Sequence, residues 1–157
     1  MKVSARADYA LRATAELARA GEPRTTGALA ASQGIPRKFL EGILTALRDD
    51  GLVVGQRGIG GGYRLTRPAA EITLADVVRA VDGPLIFVRG ERPSGLEYGG
   101  AASELLTIWV AVRASIRAVL ERVTVADLAA GALPDEIRTL VEDQAAWEDA
   151  QTNLSGE

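Results

Sequence analysis

The sequence predicts a mainly α-helical fold with a small β-hairpin. Three observations carry that reading. Apolar residues recur at steps of three and four through most segments bounded by Gly or Pro. Residues 52–66 instead alternate in short strand-like runs on either side of a Gly-rich tip. A second, longer apolar stripe begins near residue 103.

Residues 4–20 place Tyr9, Leu11, Ala13, Leu17 and Ala18 at helical spacing, with Ser4 as N-cap, Gly21 as stop and Pro23 beyond it. Thr25 and Thr26 offer caps for a short second helix that ends at Gly34. Pro36 then opens a third, running to Gly51, whose stripe is Phe39, Leu40, Ile43, Leu44 and Leu47. Its other face carries Arg37, Lys38, Glu41, Thr45 and Arg48. The "QGIP" junction between the second and third helices is the tight turn of a helix-turn-helix.

"LVVGQ" and "YRLT" flank "RGIGGG". A phosphate-binding loop follows a strand, opens a helix and reads G-x-x-x-x-G-K-[ST] or G-x-G-x-x-G. Here a strand follows instead, and Tyr63 stands where the last glycine would be. The stretch is therefore the tip of a hairpin, and three helices followed by a hairpin is the order of a winged helix.

Beyond Pro68, Thr73 and Asp76 cap a fourth helix with Val77, Val78 and Val81 inward, and Gly83-Pro84 stops it. "LIFV" reads as a strand or an extended connector. Residues 89–102 are loop-like. A long helix spans 103–122, "TVADLAAG" is a short capped helix, and the end of the chain is acidic, frayed at "TNLSGE". These segments divide the chain into a winged helix-turn-helix unit (1–67), a linking helix and loop (68–102), a long helix with a short follower (103–134) and an acidic tail (135–157).

Composition narrows the chemistry. The chain has neither cysteine nor histidine, which excludes thiolate-bound zinc, cysteine-held clusters, cysteine nucleophiles and Ser–His triads. Its only lysines are Lys2 and Lys38, so an enzyme is not expected. No apolar run is long enough to span a bilayer, and the N-terminus lacks the core of a secretory signal, pointing to a cytoplasmic protein. The net charge of −3 conceals an asymmetry. Residues 1–70 hold 11 Lys+Arg against 6 Asp+Glu, a net of +5, whereas residues 71–157 hold 7 against 15, a net of −8. A basic half joined to an acidic half points to a nucleic-acid surface carried by an assembly or sensing region.

The segments "GIPRKFLEGILTALRDDGLVVGQRGIGGGYRL", "EITLADVVRAVDG" and "IWVAVRASIRAVLERVTVADL" together resemble the Rrf-two family of bacterial transcription regulators, from about residue 2 to residue 130. The resemblance implies a winged helix-turn-helix DNA-binding domain and a symmetric dimer formed through a long C-terminal dimerisation helix. Iron–sulfur members of that family carry three cysteines before this helix. Here the corresponding stretch holds Pro93, Ser94, Gly95 and Tyr98; Ser103 falls where the last cysteine would be, and Leu106 where one such member has a histidine ligand. No cluster and no other metal or cofactor is expected.

The expected function is a sequence-specific regulator of double-stranded DNA, a homodimeric repressor of a palindromic operator. In that role Arg37 and Lys38 offer donors to guanine edges from the first turn of the third helix, and Glu41 accepts from cytosine. Glu41 matches a position at which relatives read bases. Arg57 is aimed at the minor groove by the wing, where Gly58 and Gly60 let backbone approach phosphates, with Tyr63 beneath. Arg6, Tyr9 and Thr26 are candidate phosphate contacts, Tyr9 equally a core residue. Leu105, Trp109, Val112, Ile116 and Val119 form the expected dimer core. Arg89, Arg92, Glu97 and Tyr98 could bind a small effector in the 89–102 loop, which reads equally as the remnant of a cofactor loop. The alternative is a dimer acting mainly through a partner enzyme or other protein effector in sulfur or cysteine metabolism, as some family members do.

Overall fold

The structure is a computed structural model that describes residues 3–147. In chain order these form α1 (Ala5–Ala20), α2 (Thr26–Gln33), α3 (Arg37–Asp49), β1 (Val53–Gln56), β2 (Gly62–Leu65), α4 (Leu74–Asp82), α5 (Leu105–Leu120), α6 (Val125–Ala130) and α7 (Asp135–Thr139). Short 3-10 turns lie at Ala69–Glu71, Pro93–Gly95, Gly100–Ala102 and Gln144–Ala146. The expected order of a winged helix-turn-helix with a long helix after it is present. The frayed end expected at 152–157 lies outside the described residues.

Local chemistry sets the helix starts. Ser4 Oγ accepts from the Ala7 amide at 2.9 Å, and Thr25 Oγ1 from Ala28 at 3.1 Å, satisfying amides that the first turn leaves unpaired. Thr73 with Asp76, and Thr124 with Asp127, form reciprocal capping boxes. Helix α3 begins one residue after Pro36, whose ring presets the backbone but supplies no side-chain cap. Helix α5 begins at Leu105 rather than 103, because Ser103 and Glu104 still belong to the turn that follows the 3-10 segment Gly100–Ala102. "LIFV" is a connector in which Val88 and Glu91 exchange two backbone hydrogen bonds of 3.0 Å.

The core centres on α1, which packs against α2, α3, α4 and α6. Its small inward residues Ala7, Ala10 and Ala13 let the neighbouring helices approach closely. Leu29, Leu40, Ile43, Leu44, Leu47, Ile72 and Val77 fill the space between. Full burial of each such side chain contributes roughly 1.5–3 kcal/mol. Among the described residues two polar ones are buried, and both are satisfied. Thr14 Oγ1 donates toward the Ala10 and Leu11 carbonyls at 3.0 Å. Glu16 accepts from Arg19 at 2.7 Å and from Gln33 at 3.0 Å, tying α1 to the end of α2.

Two further features were not foreseen in the sequence reading. Phe39, placed in the α3 core stripe, is 49% exposed and sets its ring edge-on to Tyr9 at 5.7 Å. Helix α6 returns to the first core: the Val125 amide donates to Ile72 O at 2.8 Å, and the Leu74 amide to Val123 O at 2.9 Å. Val125 is fully buried there.

Candidate nucleic-acid interface

The hairpin pairs Val53 with Leu65, Val54 with Arg64, Gly55 with Tyr63 and Gln56 with Gly62. This register turns Val53 into the core and leaves Gln56 and Arg64 exposed. The second edge of β2 is not free. Arg24, just before α2, donates its amide to Tyr63 O at 2.9 Å, and the Tyr63 amide donates to Arg24 O at 2.8 Å. The hairpin is thus fastened to the start of α2.

The glycines of the hairpin divide by role. Gly58 and Gly60 have φ of 95° and 73° with open space around them, and the Gly61 amide donates to Gly58 O at 3.0 Å to close the turn. A Cβ on Gly61 would lie 2.4 Å from Gln56 O. One on Gly62, whose φ is 147°, would lie 2.4 Å from both C and O of Arg24. Gly58 and Gly60 shape the tip, Gly61 lets the turn close against Gln56, and Gly62 alone makes the fastening to Arg24 possible. The tip itself presents Arg57 and Ile59, both exposed.

Docking the hairpin against α2 creates a surface cleft between the wing and α3. Thr26, Arg37, Arg57 and Tyr63, which sequence reasoning singled out separately, line it together. Arg48 and Gln56 line it as well. They were not among the sequence candidates, although Arg37, Glu41, Thr45 and Arg48 sit three and four apart, which places them along one exposed face of α3. Arg37 Nε donates to Glu41 Oε1 at 3.3 Å across one turn, and both side chains are more than half exposed. Such a pair is easily exchanged for contacts to a ligand. Arg48 pairs with Asp49 at 3.0 Å.

Lys38 and Glu41 are exposed on α3 outside the cleft lining. Gly58 and Gly60 stand at the tip above it. Arg6 is exposed on α1 and takes no part in the cleft. Tyr9 is half-buried, meeting Phe39 on one side and the Arg12 guanidinium, 5.4 Å from its ring centre, on another. Arg12 also bonds the Gln33 carbonyl at the end of α2 and Asp8 at 3.3 Å. Thr25, not Thr26, caps α2, so the Thr26 hydroxyl is not committed to the cap. The surface is rich in donors: three arginines line the cleft, and Lys38 is exposed on the same helix as two of them.

Distal to this face, Leu105, Trp109, Val112, Ile116 and Val119 are each half-buried by their own chain. No residue of α5 is fully buried, and Ile108 and Val110 are 52% and 44% exposed. Trp109 Nε1 has no acceptor among the described residues. In the 89–102 loop the Arg89 guanidinium lies 5.6 Å from the Tyr98 ring centre, Glu97 is exposed, and Pro93 and Leu96 are buried anchors. Arg92 is separated from that pair and lines a pocket with α4 and α5.

Residues 3–131 match the Rrf2 family model, described as an iron-dependent transcriptional regulator. The chain is 48% identical over 157 residues to the protein Rv1287 of Mycobacterium tuberculosis, covering 99% of this chain and 98% of that one. It is 32% identical over 134 residues to the HTH-type transcriptional regulator CymR of Bacillus subtilis, covering 82% and 90%. The structure of CymR, the global cysteine regulator of B. subtilis, superposes with a TM-score of 0.65 at 29% identity, over 83% of this chain and 97% of that one. That of IscR from T. potens superposes with a TM-score of 0.67 at 27% identity, over 94% and 97%. No helix among the described residues is long and apolar enough to cross a membrane.

Proposed function

Because the chain belongs to the Rrf2 family of transcriptional regulators, we propose that it is a homodimeric repressor that binds a palindromic operator without an iron–sulfur cluster. The observation that carries this is the cleft in which the α3 face and the wing converge, placing Arg37, Arg48 and Arg57 together. Helix α3 enters the major groove by its first turn, where Lys38 and Arg37 donate to purine edges and Glu41, released from Arg37, accepts from cytosine. The wing follows the backbone, and Arg57 enters the minor groove beside it. Thr26 and the α2 amides hold a phosphate between the two.

The half-exposed apolar stripe of α5 supports pairing with a second copy, and a two-fold dimer sets its two α3 helices about 34 Å apart, one turn of DNA. The family model's description names iron, but the residues here do not fit a cluster. The chain has no cysteine or histidine, and the matching loop offers Pro93, Tyr98, Ser103 and Leu106. Among the described residues no three acidic side chains gather as a metal site.

The likeness to CymR directs the first operators tested to genes of sulfur metabolism. Fragments from those genes and from the chain's own upstream region are titrated, and the bound one is footprinted and used as an in vitro transcription template. The expected result is two protected half-sites one helical turn apart and falling transcript with added protein. No preference among fragments, or unaltered transcription, overturns the reading.

A further inference from the structure

Away from the DNA face, the end of α4, the connector 83–86, the start of the 89–102 loop and α5 enclose an open pocket of about 210 Å³. Four guanidinium groups line it: Arg79 from α4, Arg92 from the loop, and Arg113 and Arg117 from α5. The remaining lining is Gly83 to Ile86, of which Ile86 is buried and holds the connector in place.

The charges are not balanced within the protein. Glu121 is shared by two of the four. It accepts from Arg117 Nε at 2.9 Å and Nη2 at 3.1 Å, and also pairs with Arg79. Asp76 lies 3.7 Å from Arg79, one helical turn before it. Arg92 and Arg113 have no carboxylate partner among the described residues, and Arg113 is half-buried. Most of the other arginines pair with a carboxylate, as Arg12, Arg19, Arg24, Arg37, Arg48, Arg67 and Arg122 do. Arg92 is exposed and the pocket is open, so water screens the four charges in part, but their shared sign still favours an entering anion.

We propose that this pocket binds a small tetrahedral oxyanion, a phosphate or sulfate group, free or carried on a small metabolite. Planar guanidinium forks from three separate segments match the several oxygens of such a group, and each bond is charge-assisted. The volume admits the oxyanion with a few waters and leaves the rest of a metabolite at the open mouth. Glu121 positions Arg79 and Arg117 and leaves their other N–H groups for the ligand. Occupation draws the loop toward α4 and α5 at once, which makes it a route for a signal to the α4 side of the DNA-binding unit. That last consequence rests on the function proposed above; the binding does not.

The test is calorimetric titration of the full chain, without DNA, with sodium sulfate, sodium phosphate or glycerol phosphate, against sodium chloride of equal ionic strength. Oxyanion binding absent from the chloride arm is expected. The Arg92→Gln/Arg113→Gln variant should lose about tenfold or more in affinity, since each charge-assisted bond is worth more than one decade. Its melting without anion should match the parent; if it does not, the Arg92→Gln single variant, altered only on an exposed loop, takes its place. Lys38→Gln/Arg57→Gln should bind the anion unchanged. Tighter glycerol phosphate than inorganic phosphate identifies a phosphorylated metabolite as the ligand, and the reverse identifies the free ion. Equal heats with chloride, or loss in the Lys38/Arg57 variant instead, overturns the proposal.

Discussion

Replacing Gly62 by alanine separates the fastening of the wing from the shape of its tip. The new Cβ would lie 2.4 Å from the Arg24 carbonyl carbon and oxygen and 2.8 Å from the Thr25 nitrogen, all backbone atoms that cannot rotate aside. The strand must retreat, and the two Arg24–Tyr63 hydrogen bonds of 2.9 and 2.8 Å break. Each is worth about 1 kcal/mol net, and forcing alanine to a φ of 147° adds about 1 kcal/mol or more, for a total of about 3 kcal/mol. In a chain of this size that lowers the melting temperature by roughly 6–12 °C. Gly60→Ala is the matched control. Its φ of 73° is also left-handed, but nothing lies within 4 Å of the added atom, so only about 1 kcal/mol is lost. Both are measured by urea unfolding followed by circular dichroism. Equal losses for the two variants would refute the claim that contact with Arg24, rather than glycine's backbone freedom, is what position 62 requires.

Leu44→Ala, at a fully buried site on α3, should cost roughly 2–5 kcal/mol in the same unfolding assay. Thr124→Ala removes the hydroxyl half of the α6 capping box and should cost about 1 kcal/mol, with faster amide exchange in residues 125–130 than in α3. Hydrogen bonds from Arg117, then Arg79, hold the Glu121 carboxyl at about 2, below its usual 4.5. A depressed carboxylate stabilises the fold above its unfolded value and stops doing so as pH falls through the folded one. Glu121→Gln should therefore melt below the parent near neutral pH, and the gap should close between pH 4.5 and about 2 in a melting series.

What the sequence revealed was local. The caps at Ser4, Thr73 and Thr124 were legible because donor and acceptor sit three residues apart, and the stripes because 3.6-residue periodicity survives burial. The Gly-rich tip was readable as a hairpin, but the separate duty of Gly61 and Gly62 was not. It is imposed by Gln56 across the strand pair and by Arg24 from before α2, and a glycine chosen for close approach looks no different in sequence from one chosen for a turn. The return of Val123 and Val125 to Ile72 and Leu74 was invisible for the same reason: backbone pairing between distant segments leaves no periodic trace. Phe39 was misplaced because a stripe built on spacing cannot tell a core ring from one that leaves the core to meet Tyr9. Of the candidate site, Arg37, Arg57, Thr26 and Tyr63 were named singly, and only the fold showed that they share a cleft with Arg48 and Gln56.

In the function proposed, α3 and the wing form one DNA-binding surface. Its most direct test is the salt dependence of operator affinity for the parent, Lys38→Ala and Arg57→Ala, read by fluorescence anisotropy. Each substitution should weaken binding about tenfold, and at least one should make the slope of log K against log salt shallower by about one. Both variants binding with the parent's affinity and slope would place the DNA elsewhere and contradict it.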